Sequence, residues 1–217
     1  MRALLRKRLQ LVQHKTAHIL SFKNLVSRKL GLQIPSNAIK KLREEDVAGM
    51  FKEEHLVMAG QANLATMHFL KERIAALEKV VLKRAKLKGE YHNLLTVPGI
   101  GKILALRIML ENGEITRFPE VGNYVSYCRC VGSSRLAKGK SKGEGNRKNG
   151  NKYLSWAYVE AANYAIRLYP YVRRYYQKKA AKTNNIVAIK AISHKLARAS
   201  YYVVKDQEVF NPKKAFG

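Results

Sequence analysis

Met1 to Leu30 read MRALLRKRLQLVQHKTAHILSFKNLVSRKL, a stretch without proline or glycine. Positions 5, 9, 12, 16, 19, 23, 26 and 30 hold Leu, Leu, Val, Thr, Ile, Lys, Val and Leu. That alternating four-three step is the heptad seam of one long helix packing along another. Gly31 and Pro35 end it, because neither continues a helix readily. Ser36 is placed to cap a short helix through Leu42. A second seam, Leu56, Met67, Leu70, Ile74, Leu77 and Val81, predicts a helix from about Glu54 to Lys88, on the order of 50 Å long. Two seamed helices joined by a linker suggest an antiparallel coiled-coil hairpin. The same seams could instead pair between chains, and the spacing does not choose.

Gly89 marks a boundary, so residues 1–89 are read as the coiled-coil hairpin and 90–217 as a compact helical domain. In the latter, LLTVPGIGKILALRIMLENG places Pro98-Gly99-Ile100-Gly101 between two apolar helical runs. This is the pattern of a helix-hairpin-helix. Its glycine turn leaves backbone N–H groups at the next helix's N-terminus, where an anion is stabilised. Gly99, Gly101 and Lys102 are the phosphate candidates there; the alternative is a tight turn that only packs. Farther on, Lys152 to Leu168 predicts a helix that Pro170 ends or kinks, Asn184-Asn185 interrupts the chain, and Ile186 to Val204 predicts a last basic helix. No two-residue alternation persists, so the fold class is all-α.

The formal charge of +27, from 42 Lys and Arg against 15 acids, decides the partner class. Such a chain repels itself unless it meets a polyanion. Between Val121 and Lys205 there are eighteen Lys and Arg against only Glu144 and Glu160. Seven of those cations, Arg135, Lys138, Lys140, Lys142, Arg147, Lys148 and Lys152, lie among glycines and asparagines in Arg135 to Lys152. Glycine lets backbone approach a phosphate, and the cations neutralise it. Asn146 and Asn151 belong to the same stretch. Tyr175, interleaved with Arg173, Arg174 and Lys178, is a candidate to stack on unpaired bases, as is Tyr176. Trp156 and Tyr164 are assigned to the core by their helical spacing. No apolar run reaches the ~20 residues of a spanning helix, and Met1 to Leu30 is too polar for a signal peptide; a cytoplasmic protein with no membrane partner is expected.

Chemistry is harder to find. A metal-dependent nuclease needs clustered carboxylates, yet the only aspartates are Asp46 and Asp206. The cluster Glu44, Glu45, Asp46, Glu53 and Glu54 sits at a helix junction, where acids serve the helix dipole. His14 and His18 lack a third ligand, and Cys128 and Cys130 lack the second pair a zinc site wants. No metal and no cofactor is expected, and the cysteines read as buried thiols. Ser133, Ser134 and Ser141 lie in the basic stretch, where cations could activate a hydroxyl, but no histidine or aspartate is near in sequence to serve as base.

The blocks VPGIGKILALRIMLENGEITRF, SYCRCVGS, KGEGNRKNGNKYLSWAYVEAA and KAISHKLARASYYV resemble the C-terminal transposase domain of bridge-RNA-guided insertion-sequence transposases, closest to the branch whose guides are called seekRNAs. The resemblance covers most of residues 1 to 205. It implies a RuvC-like carboxylate domain, a coiled coil, and a helical domain with a catalytic serine. Here the chain begins where the coiled coil should begin. The serine expected two residues before Gly139 is Ala137, so no catalytic residue is assigned, with Ser141 and Ser134 as fallbacks. The chain is also similar to the Nop-domain, nuclease-free tandem interspaced guide-RNA-associated proteins. The resemblance implies a guide-RNA-binding protein for RNA-guided DNA targeting. Its partners would be guide RNA, target DNA, a second copy through the coiled coil, and possibly a separate nuclease. The alternative it implies is a truncated or serine-substituted transposase acting in DNA transposition.

Overall fold

The computed structural model describes residues 1–85, 89–132, 134–138, 140–144 and 149–216. The fold is helical, in two compact units, Met1–Val81 and Leu82–Gly217.

The first unit is built on α1 (Arg2–Leu30) and α4 (Glu54–Ala85). They pair within one chain and run antiparallel: Arg8 near the start of α1 bonds Glu78 near the end of α4 at 2.7 Å, and His18 Nδ1 meets Asn63 Oδ1 at 3.1 Å. Of the seam residues that repeat every seventh position, Leu5, Ile19 and Val26 are buried as expected and Val12 is half-buried. The positions between them differ from the expected frame. Phe22 is fully buried where Lys23 was expected, Thr16 is exposed, and Arg8 and Lys15 take the half-buried places. Burial, together with Lys40 and Arg8, holds the Lys15 ammonium below the usual lysine range.

The linker does more than connect. Helices α2 (Ser36–Ile39) and α3 (Glu44–Ala48) fold onto the hairpin, so that Ile39, Val47 and Phe51 join Ile19, Phe22, Val26, Leu64 and Met67 in one core. Glu44, Glu45 and Asp46 form the first turn of α3, and Asp46 Oδ2 accepts from the Arg43 N–H at 2.7 Å. This is the dipole-complementing role of acids at a helix start. Among the described residues no group of three or more His, Cys, Asp or Glu is arranged to hold a metal ion.

The second unit comprises α5 (Gly89–Leu95), α6 (Lys102–Asn112), a single 3-10 turn at Ile115–Arg117, α7 (Val121–Tyr127), strands β1 (Ser134–Ala137) and β2 (Lys140–Glu144), α8 (Lys152–Leu168), α9 (Pro170–Lys182), α10 (Asn185–Lys205) and α11 (Pro212–Phe216). Helix α10 packs on α5, α7, α8, α9 and α11 and is the hub. The buried face of α8 is Leu154, Ala157, Tyr158, Ala161, Ala162 and Ala165, a 3.6-residue stripe whose alanines admit neighbours closely. Asn184 caps α10, its Oδ1 accepting from the Val187 N–H at 2.9 Å. Pro170 both ends α8 and opens α9, since proline at the first helical position forfeits only an N–H that has no helical partner. Among the described residues no helix is long and apolar enough to cross a membrane.

One element was not visible in the pattern. The start of the basic stretch is a two-stranded antiparallel hairpin, pairing Ser134 with Glu144, Leu136 with Ser141 and Ala137 with Lys140. Its strands are short and carry no apolar face to alternate. A two-residue turn makes it possible: Lys138 adopts φ 50°, the left-handed conformation that tight hairpin turns need.

Candidate nucleic-acid interface

The hairpin lies between α7 and α8 in the chain, and residues 127–129 before it are tied to residues 149–151 after it by backbone and side-chain bonds. The Asn151 N–H donates to Tyr127 O at 2.7 Å. Gly150 has φ 86°, and a Cβ there would lie 2.5 Å from Tyr127 O, so only glycine fits. Arg129, itself at φ 56°, donates from Nε to Asn149 O at 2.9 Å and from Nη2 to Gly150 O at 3.1 Å. The Arg117 guanidinium lies 4.6 Å from the Tyr127 ring, bracing the same corner from the other side.

Asn151 is the centre of this collar. It is 8% exposed. Its Oδ1 caps α8, accepting from Tyr153 N–H at 2.8 Å and Leu154 N–H at 3.2 Å, while Nδ2 donates to Glu111 Oε2 at 2.9 Å. The candidate nucleic-acid ligand Asn151 therefore has its amide occupied within the chain. Glu111 and Arg107, one turn apart on α6, are both buried, and the Arg107 guanidinium lies 5.3 Å from the Trp156 ring and 5.7 Å from that of Tyr153. Sequence reasoning passed over this pair. Its signal was two opposite charges four residues apart inside an otherwise apolar run, LALRIMLENG.

Behind the collar, Tyr124 OH donates to Asn112 Oδ1 at 2.9 Å and meets Tyr158 OH at 2.6 Å. Burial holds both phenols well above their usual range, so they remain neutral hydrogen-bonding groups. Cys128 and Cys130 are buried and free, as expected. Burial pushes both thiols up, Cys130 to about 12 and Cys128 further, which removes the thiolate needed for reactivity or metal binding.

At the tip, Lys138 and Lys140 are exposed. Arg135 lies on β1, Lys142 on β2, and Ala137 pairs with Lys140 at the turn. Ser141 is in register with Leu136, and Ser134 with Glu144. Ser133, Asn146, Arg147 and Lys148 lie outside the described residues. Lys152, at the first turn of α8, is exposed, with its ammonium 5.3 Å from the Tyr153 ring.

The PGIG turn divides its candidates. Gly99 has φ 76°, and a Cβ there would lie 2.0 Å from Ala161 O on α8; this glycine is a packing contact. Gly101 and Lys102 are exposed at the N-terminus of α6, where N–H groups and a cation coincide. On α9, Arg174 and Lys178 are exposed. Arg173 is turned back onto α8, donating to the carbonyls of Ile166 and Arg167. Tyr175 is covered by Phe216 of α11, ring centroids 5.7 Å apart, with Lys195 Nζ 5.0 Å from the Tyr175 ring. Two aromatic assignments change. Tyr164, expected in the core, is 46% exposed, because Ala161 and Ala165 take the buried positions on either side of it. Trp156 is half-buried against Arg107 rather than enclosed.

With this geometry in place the comparison with known families is informative. Residues 91–177 match the transposase IS116/IS110/IS902 family. The match runs from α5 through the PGIG turn, the collar and the hairpin into α9, so it contains every candidate of the interface except Lys178. It covers less than half of the chain and supports the transposase family at that coarse level. No curated protein matches the chain.

Proposed function

We propose that this chain is a guide-RNA-binding protein of transposase lineage that takes part in RNA-guided DNA targeting and has no strand-transfer centre of its own. The observation that carries this reading is the basic hairpin, with Lys138 and Lys140 exposed at its tip, inside the segment similar to transposases. Cations on a fixed backbone scaffold suit phosphate positioning, whereas base reading needs side chains held in a groove. Sequence choice then falls to the guide's own pairing. On this reading the protein works in the cytoplasm beside a separate nuclease partner, and pairs with a second copy. Alanine at position 137 supplies no nucleophile, and the scarcity of carboxylates argues against a metal-dependent step.

The competing reading is a transposase with a displaced nucleophile. Ser141 favours it, lying in register one position from the Ala137–Lys140 pair at the tip. Purifying the full chain and sequencing the bound nucleic acid tests the first reading: a discrete short RNA is expected, and random fragments or none refute it. Incubation with its DNA target tests the second. A covalent protein–DNA adduct that disappears in Ser141→Ala would establish strand chemistry and overturn the non-catalytic reading.

A further inference from the structure

Beside the candidate interface, a shallow groove of about 390 Å³ opens between α8, α9 and α10, lined by Glu160, Asn163, Ile166, Arg167, Tyr176 and Ile189. Its size is at the lower end of the ~300–1,000 Å³ range of small-ligand sites, enough for one nucleotide. Glu160 is one of only two acids between Val121 and Lys205, against eighteen cations. It is half-buried, and among the described residues nothing hydrogen-bonds or ion-pairs with its carboxylate. It repels phosphate, so the groove is not another phosphate site. It also accepts hydrogen bonds only, so its ligand must donate.

The walls describe the rest of that ligand. Tyr176, half-buried, contributes an aromatic ring to the lining. Arg167 Nε donates to Asn163 O at 3.3 Å, and its guanidinium lies 4.7 Å from the exposed Tyr164 ring, extending a planar rim. An aromatic side chain beside a carboxylate acceptor suits an unpaired base splayed out of a strand. Guanine presents two parallel donors, its N1–H and its exocyclic amine, which match the two oxygens of a carboxylate. Adenine and cytosine place an acceptor beside their amine, and uracil flanks its single donor with acceptors. A protein arginine would match the carboxylate equally, but an arginine-rich partner is repelled by this surface.

We infer that the α8–α9–α10 groove binds a single unpaired guanine of a bound strand, with Glu160 accepting its two donors and Tyr176 stacking on its ring. The strand's phosphates are left to exposed cations of α9 such as Arg174 and Lys178. This rests on the nucleic-acid reading above and adds to it a point of base selection.

The test uses the full chain and fluorescein-labelled oligouridine of about eleven nucleotides, within the ~4–16 that such surfaces span, carrying a central G, A, C or U. By fluorescence anisotropy, wild type is expected to favour the G oligomer about tenfold. Glu160→Gln reduces that preference to within about twofold, and Tyr176→Ala weakens G binding most. If no oligomer binds, the nucleic-acid reading itself fails, and the groove assignment with it. If all four bind alike, or the G preference survives in Glu160→Gln, the guanine site alone is refuted.

Discussion

Replacing Asn151 by alanine tests whether the collar holds the start of α8 against α6. The side chain has two separate duties. Its Oδ1 caps α8 through Tyr153 and Leu154, and its Nδ2 donates to the buried Glu111 carboxylate. Loss of an N-cap acceptor costs about 1 kcal/mol, and loss of a hydrogen bond to a charged group about 1.5–3 kcal/mol. Asn151→Ala should therefore destabilise the second unit by roughly 3 kcal/mol, lowering its Tm by about 10 °C for a unit of this size. Asn151→Ser separates the duties: it keeps a capping oxygen but loses the reach to Glu111, and should recover about 1 kcal/mol. Asn151→Asp keeps the cap and sets a second carboxylate against Glu111, so its stability should rise as pH falls and that repulsion is relieved. Urea denaturation followed by circular dichroism at several pH values measures all three. An Asn151→Ala change below about 0.5 kcal/mol, or serine no better than alanine, would refute the collar as described.

Other predictions follow from the same geometry. Phe22→Ala should cost about 3–5 kcal/mol and Lys23→Ala less than about 0.5 kcal/mol in thermal unfolding; equal effects would restore the seam frame read from spacing. Replacing Lys138, Lys140, Lys142 and Lys148 with alanine should flatten the salt slope of log RNA affinity by about three. The same change at Lys79, Lys83, Lys86 and Lys88 should alter it much less, and identical behaviour of the two quadruple variants would reduce the basic stretch to diffuse charge. His194 is held below its usual 6.5 by burial and by Arg198 and Lys195. The unfolded state thus binds its proton first, and stability should fall as pH drops below about 6.5; a Tm whose slope in that window is the same in His194→Gln would refute this.

The periodic features were legible because they are local. The two long helices, the break at Pro170, the buried cysteines and the helix-start role of Glu44, Glu45 and Asp46 all depend on residues a few positions apart. The seam frame was only half legible. Leu5, Val12, Ile19 and Val26 repeat every seven residues in either frame, and α2 and α3 decide between Phe22 and Lys23 by bringing Ile39, Val47 and Phe51 over Phe22. Tyr175 read as a free stacking ring because nothing local signalled that Phe216 of α11 would cover it. The hairpin escaped notice because four- and five-residue strands without apolar alternation carry no periodic signal, and its turn rests on the backbone conformation of Lys138.

By itself the sequence determined the helical class and the concentration of positive charge after Val121. Each is a property of composition or short-range spacing. Only the tertiary structure decided that Gly99 meets Ala161, that Asn151 reaches Glu111 forty residues back along the chain, and that Glu160 lines a groove between α8, α9 and α10. Those pairings depend on how α6, α8 and α10 approach one another, which is set by the summed fit of many buried side chains. No single motif encodes that fit, and the candidate interface draws its geometry from it.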